Sequence, residues 1–90
     1  MAKQTIIIQN ETGLHARPAA QFVQLASRFK SEVSILKVKE NKRINAKSMM
    51  EILAAGISKG TLISIEAGGE DEDEAVASLI KLVGSGFCED

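Results

Sequence analysis

The sequence holds one cysteine, one proline, one histidine, no tryptophan and no tyrosine, so three phenylalanines are its only aromatic residues. A single thiol, Cys88, excludes an intramolecular disulfide framework and any paired-cysteine metal site. Close to the end of the chain, it reads as an exposed tail thiol. Three phenylalanines cannot build a stacking platform for bases, and a net charge of −1 gives no global field for a polyanion. Both argue against nucleic-acid binding. No apolar run approaches the roughly 20 residues of a transmembrane helix, and the first residues lack the charged-then-apolar order of a signal peptide. A cytoplasmic protein without membrane insertion is the expectation. Glycine-rich phosphate loops, internal repeats and low-complexity linkers are also missing.

Ninety residues, 44% hydrophobic and 26% charged, form one domain over 1–90 whose core needs neither disulfide nor metal. Thr5-Ile6-Ile7-Ile8-Gln9 is a β-branched run, read as a strand that ends at the polar Asn10-Glu11-Thr12-Gly13 loop. From Ala19, the apolar residues Phe22, Val23, Ala26 and Phe29 recur at helical spacing, which predicts an amphipathic helix from about Arg17 to Phe29. Val33 and Ile35 alternate with Ser34 and Leu36 in a second strand. Glu40-Asn41-Lys42 breaks it before a third strand near Ile44 and Ala46, and the pair reads as a hairpin. Lys37, Lys39, Lys42, Arg43 and Lys47 cluster there, either as a solvated face or as a surface for an acidic partner.

Ser48-Met49-Met50-Glu51 has the form of a capping box, Ser followed three residues later by Glu, so a short helix begins at Ser48. Gly56 lies where that helix stops. Adjacent Met49 and Met50 cannot both enter one core, and the exposed one suits a surface that meets partners. Thr61–Ala67 alternates with Ile63, Ile65 and Ala67 on one face, a fourth strand. The acidic run Glu70-Asp71-Glu72-Asp73-Glu74 precedes Ala75, Val76, Leu79, Ile80 and Val83 at helical spacing. Consecutive carboxylates point in several directions and are favoured at a helix start by the dipole, so this run reads as a solvated start of a last helix rather than a metal site. The order is βαββαβα. Four strands with one apolar face each need a covering layer, which three helices on one side of an antiparallel sheet supply, an α+β class.

Gly13-Leu14-His15-Ala16-Arg17-Pro18-Ala19 contains the only histidine and the only proline. Proline has no N–H and is tolerated in the first turn of a helix but not deeper, so the helix begins here with His15 and Arg17 at its N-terminus. First-turn amides have no intrahelical partner and carry partial positive charge, a setting suited to phosphate. The dipole and Arg17 disfavour the imidazolium, leaving a ring nitrogen able to attack phosphorus. Arg17 offers a fork of donors that matches phosphate oxygens. Set against this is a plainer reading of His15 as a capping or surface residue.

The run Asn10-Glu11-Thr12-Gly13-Leu14-His15-Ala16-Arg17-Pro18-Ala19 closely resembles the active-site segment of the HPr family, the histidine-containing phosphocarriers of the bacterial phosphoenolpyruvate-dependent sugar phosphotransferase system. Asn45-Ala46-Lys47-Ser48-Met49-Met50, followed by an apolar helical run and Gly56, is similar to the family's regulatory-serine segment. The resemblance covers nearly the whole chain. It implies an open-faced α/β sandwich, His15 as the phosphorylated residue, Arg17 as its phosphate-binding neighbour and Ser48 as a regulatory site. It further implies a carrier without its own turnover or cofactor, loaded by Enzyme I and unloaded onto sugar-specific Enzyme IIA components. An HPr serine kinase/phosphorylase is implied for Ser48, and a monomer is expected.

Ala20, Met49, Met50 and Leu53 are the candidates for the partner-binding surface around His15. Two alternatives stand beside the sugar branch: a carrier of the nitrogen-related branch, and a regulatory co-effector of transcription. The regulatory relatives lack the active-site histidine, whereas His15 is present here. The sequence departs from the family pattern at Glu51, where many members have a small residue, and in a slightly longer hairpin near Asn41.

Overall fold

Leu62–Gly68 is the strand around which the others assemble, because Ile63, Ile65 and Ala67 are buried and both of its edges find partners. The computed structural model describes residues 1–88, and the side chain of Cys88, read above as an exposed thiol, lies outside what is described. The elements are β1 (Ala2–Ile7), α1 (Ala16–Ala26), β2 (Glu32–Lys37), β3 (Lys42–Asn45), α2 (Met49–Ala55), β4 (Leu62–Gly68) and α3 (Glu72–Gly84). A 3-10 turn over Gly86–Cys88 follows. The strands lie in the order β1-β4-β2-β3, with every neighbouring pair antiparallel. This is the expected open-faced sandwich, with three helices on one side of the sheet. Its core joins Phe22 of α1, Ile52 of α2, Leu79 and Val83 of α3, and Ile35, Ile63 and Ile65 of the sheet.

Element boundaries differ from expectation where long-range contacts intervene. β1 starts earlier than Thr5, because Ala67 and Glu66 of β4 give Ala2 and Lys3 antiparallel partners. Ile8 stays tied to the sheet beyond its end: its amide donates to the Thr61 carbonyl at 3.0 Å and its carbonyl accepts from Gly60 at 2.8 Å. α1 stops at Ala26 rather than near Phe29. The amides of Arg28 and Phe29 bond three residues back, tightening the last turn. The next two, Lys30 and Ser31, donate to the Asp71 carboxylate at 2.9 Å each.

That carboxylate corrects the reading of the acidic run as wholly solvated. Glu70, Asp73 and Glu74 are exposed. Asp71, however, also accepts from the Ser31 hydroxyl at 2.5 Å. Glu72 accepts from the Gly69 amide at 3.1 Å and pairs with the Met1 ammonium at 3.1 Å. The run therefore fastens α3 to the α1–β2 connection and to the chain start. Among the described residues no cluster of three potential metal ligands is present.

The hairpin cations divide. Lys37 Nζ donates to the Ala55 carbonyl at 2.7 Å, so a cation satisfies the C-terminal end of α2, and it pairs with Glu40. Lys47 Nζ donates to the Phe29 carbonyl at 2.9 Å. Arg43, on β3, reaches across β2 to Glu66 on β4 at 2.7 Å. The side chain of Glu66 is only 7% exposed although it lies on the uncovered face of the sheet. Lys39 and Lys42 remain exposed.

Candidate functional site

The approach to α1 is fixed by backbone bonds. Gly13 has φ +64°, and a Cβ there would lie 2.5 Å from the Ile57 carbonyl oxygen and 2.6 Å from Ser58 Cα. Only glycine fits that close approach. The amide of Leu14 then donates to the Ile57 carbonyl at 2.9 Å. His15 is the N-cap of α1, extended at φ −82° and ψ −170°, exposed, and its side chain makes no capping bond. Its carbonyl accepts from Ala19 at 2.8 Å, closing the first turn. Pro18, buried, is the third residue of the helix, where its missing N–H costs nothing.

By helix geometry the amides of Ala16 and Arg17 have no intrahelical acceptor. Arg17 is exposed and forms no ion pair with a carboxylate among the described residues. Glu11 nearby is matched by Lys59 at 2.7 Å, and that hydrogen bond and charge hold its carboxyl below the usual carboxylate range. Among the described residues the local arrangement is thus a free imidazole, a free guanidinium and open amides, with the adjacent carboxylate already neutralised. Arg17 borders an open groove of about 750 Å³ shared with Thr12, Gln21 and the Gly84–Phe87 segment.

Ser48 is brought to a different place. Its Oγ accepts from the Glu51 amide at 3.3 Å, the expected N-cap, and Gly56 ends the helix at φ +63°. The second half of the capping box is absent. The Glu51 carboxylate accepts from the Asn45 amide at 3.0 Å, while the Ser48 amide donates to the Asn45 carbonyl at 3.1 Å. The turn entering α2 consumes both groups. Ile57, just past α2, bonds beside His15, whereas Lys47, just before it, bonds past the end of α1. The two helices therefore run in opposite directions, and Ser48 lies at the far end of α2 from His15, about 10 Å of helix away.

The residues of the candidate patch differ in exposure. Met50 is 79% and Leu53 43% exposed, Met49 is half-buried against the core, and Ala20 is half-buried on α1, which packs on α2. Sequence reasoning quoted Asn10, Thr12 and Gly13 only as part of a motif and gave Ile57 and Gln21 no role. A glycine two residues before the N-cap was the available signal for a close approach; Ile57 contributes only a carbonyl, which leaves no trace in its side chain.

Residues 2–85 match the family model described as PTS HPr component phosphorylation site. The chain belongs to the HPr family. It is 45% identical over 89 residues to the phosphocarrier protein HPr of Neisseria meningitidis, covering 99% of this chain and 98% of that one. It is also 45% identical over 83 residues to the HPr-like protein Crh of Bacillus subtilis, covering 92% and 95%. A crystal structure of HPr-C-His from Thermoanaerobacter tengcongensis superposes with a TM-score of 0.95 at 49% identity, covering 100% of this chain and 99% of that one. A general phosphocarrier role in the phosphotransferase system goes with membership of the HPr family. No helix among the described residues is long and apolar enough to cross a membrane.

Proposed function

We propose that the whole chain acts as one phosphocarrier unit of the sugar phosphotransferase system, with His15 as the residue that carries the phosphoryl group. The observation behind this is His15 itself: exposed at an unfilled helix cap, with Arg17 two residues on and unpaired among the described residues. In the transfer, the lone pair of a neutral His15 ring nitrogen forms a bond to the phosphorus of a phosphohistidine on Enzyme I. The donor P–N bond breaks, and its electron pair returns to the donor ring. The open amides of Ala16 and Arg17 and the Arg17 guanidinium then hold the phosphoryl oxygens. Onward transfer to an Enzyme IIA component is the same exchange in reverse.

Among the described residues the nearby carboxylate, Glu11, is held by Lys59, which supports a carrier rather than an enzyme, acting as a cytoplasmic monomer that docks through Ala20, Met49, Met50 and Leu53. A site phosphorylated by an HPr serine kinase at Ser48 fits this role as a regulator. The likeness to Crh raises the reading of a regulatory co-effector, and the presence of His15 favours the carrier.

Incubation with Enzyme I and phosphoenolpyruvate, followed by intact-mass measurement, tests this. Wild type gains one acid-labile phosphoryl group and His15→Ala gains none while keeping its circular dichroism. A phosphorylated His15→Ala protein refutes the assignment. Sugar-branch and nitrogen-branch Enzyme I used in parallel separate the two carrier readings.

A further inference from the structure

We infer that Asn10 is a positioning residue for the chemistry of His15. It lies in the polar connection after β1, yet it is only 6% exposed. A polar side chain that far from water is retained where it makes bonds. Its Nδ2 donates to the Gly13 carbonyl at 2.7 Å and faces the Thr12 hydroxyl oxygen at 3.4 Å. Its own carbonyl accepts from the Gly13 amide at 3.1 Å. One residue thus holds both peptide groups of Gly13, whose missing Cβ faces Ile57 and Ser58.

The consequence reaches His15 through the backbone. Gly13 is clamped by Asn10, and Leu14 is bonded to Ile57, so a single path leads into the N-cap. The imidazole makes no capping bond, so the backbone alone sets the direction in which it leaves the chain. Asn10 and Thr12 also line the groove that Arg17 borders, so the clamp and Arg17 share one groove. Loss of the Asn10 donor leaves the Gly13 carbonyl unpaired and the Gly13–Leu14 peptide held by the Leu14–Ile57 bond alone, which loosens the path into the N-cap and lets the ring drift relative to Arg17. Reaction rates depend steeply on such placement.

Two variants separate the bond from the packing. Asn10→Leu keeps the shape without the donor or any new charge, and Asn10→Ala removes both. Each is assayed at a temperature where circular dichroism shows it folded, with Enzyme I and phosphoenolpyruvate, and the chemical shifts of the His15 ring protons are followed separately by NMR. The rate arm rests on the phosphocarrier reading; the ring shifts do not.

In both variants the maximal rate of phosphorylation falls about 10- to 100-fold while the half-saturating carrier concentration holds within about twofold, because Met50 and Leu53 are untouched. The His15 ring-proton chemical shifts move in both. Wild-type rates in Asn10→Leu, or unmoved ring shifts, overturn the proposal and leave Asn10 as packing. If wild type itself takes no phosphate, the phosphocarrier reading fails, and the ring shifts still decide whether Asn10 places His15.

Discussion

Leu14 donates its amide to the carbonyl of Ile57 at 2.9 Å, and this bond joins the turn before His15 to the loop after α2. Gly13 makes the approach possible, with φ +64° and no room for a Cβ against Ile57 and Ser58. Gly56 has nearly the same backbone, φ +63°, but nothing within 4 Å of its missing Cβ. The two glycines therefore divide strain from clash. Gly56→Ala loses about 1–2 kcal/mol from left-handed strain alone, and Gly13→Ala loses a further ~1–3 kcal/mol by overpacking. Urea denaturation of both variants measures the gap; equal losses refute the close approach.

For Arg17→Ala, phosphorylation slows without being lost. A hydrogen bond to a charged group contributes about 1.5–3 kcal/mol, which corresponds to roughly one to two decades of rate. The fold is unaffected, since Arg17 is exposed and unpaired among the described residues. Stopped-flow or quench-flow measurement of transfer from phosphorylated Enzyme I decides this, and an unchanged rate makes Arg17 a bystander.

Met49 and Met50 are neighbours with opposite surroundings, one packed on the core and one 79% exposed. Met50→Asp leaves stability within about 0.5 kcal/mol, as for most surface substitutions. It raises the half-saturating concentration for Enzyme I by placing a charge without a partner in a desolvated interface. Met49→Asp lowers the melting temperature instead. A collapse of the fold in Met50→Asp removes it from the docking surface.

The order of elements, the start of α1 just before Pro18 and both ends of α2 were legible in the sequence, because each rests on local chemistry: a missing N–H, a cap and a glycine. β1 was placed too late, because its first residues are held by β4 about sixty residues away rather than by their own hydrophobicity. The end of α1 was misjudged for a similar reason. Its periodicity continues to Phe29, but Asp71 takes the following amides. Glu66 reads as a solvent-facing residue in an alternating strand, and only the sheet order shows Arg43 crossing β2 to it. The candidate site divides likewise. His15 and Arg17 stand out by type and spacing, whereas Asn10 and Ile57 act through burial and backbone groups that no pattern encodes.

Asp71 gives the fold a defined acid response. The Ser31 hydroxyl, followed by the Lys30 and Ser31 amides, lowers its pKa from the ordinary 3.8 to about 2. A carboxylate with a depressed folded-state pKa contributes stability that is complete above the unfolded value and is lost as pH falls through the folded one. The contribution therefore fades between pH 3.8 and about 2. Glu72, bonded to the Gly69 amide and the chain's N-terminal ammonium, shifts in the same direction. Asp71→Asn keeps an acceptor oxygen but not a second one, so its melting temperature is lower at neutral pH and the gap to wild type narrows as pH approaches 2. A gap that stays constant with pH shows that the clamp does not depend on ionisation.

Ser48 caps α2 through its hydroxyl oxygen, and the Glu51 carboxylate is already committed to the Asn45 amide. A phosphoserine at this position adds about −1.5 to −2 charge at a helix N-terminus, which stabilises the isolated protein by about 0.3–1 kcal/mol. Glu51, one turn along, opposes part of that gain. Function moves the other way, because the dianion borders the face that exposes Met50 and Leu53, and docking there desolvates it without a compensating cation. Ser48 lies at the opposite end of α2 from His15, so the loss falls on docking rather than on the chemical step. Ser48→Asp accordingly raises the half-saturating concentration in the Enzyme I assay and leaves the maximal rate near wild type, with an equal or higher melting temperature. A lower maximal rate at unchanged half-saturation points to direct repulsion at His15 instead, and unchanged kinetics leave Ser48 as a helix cap alone.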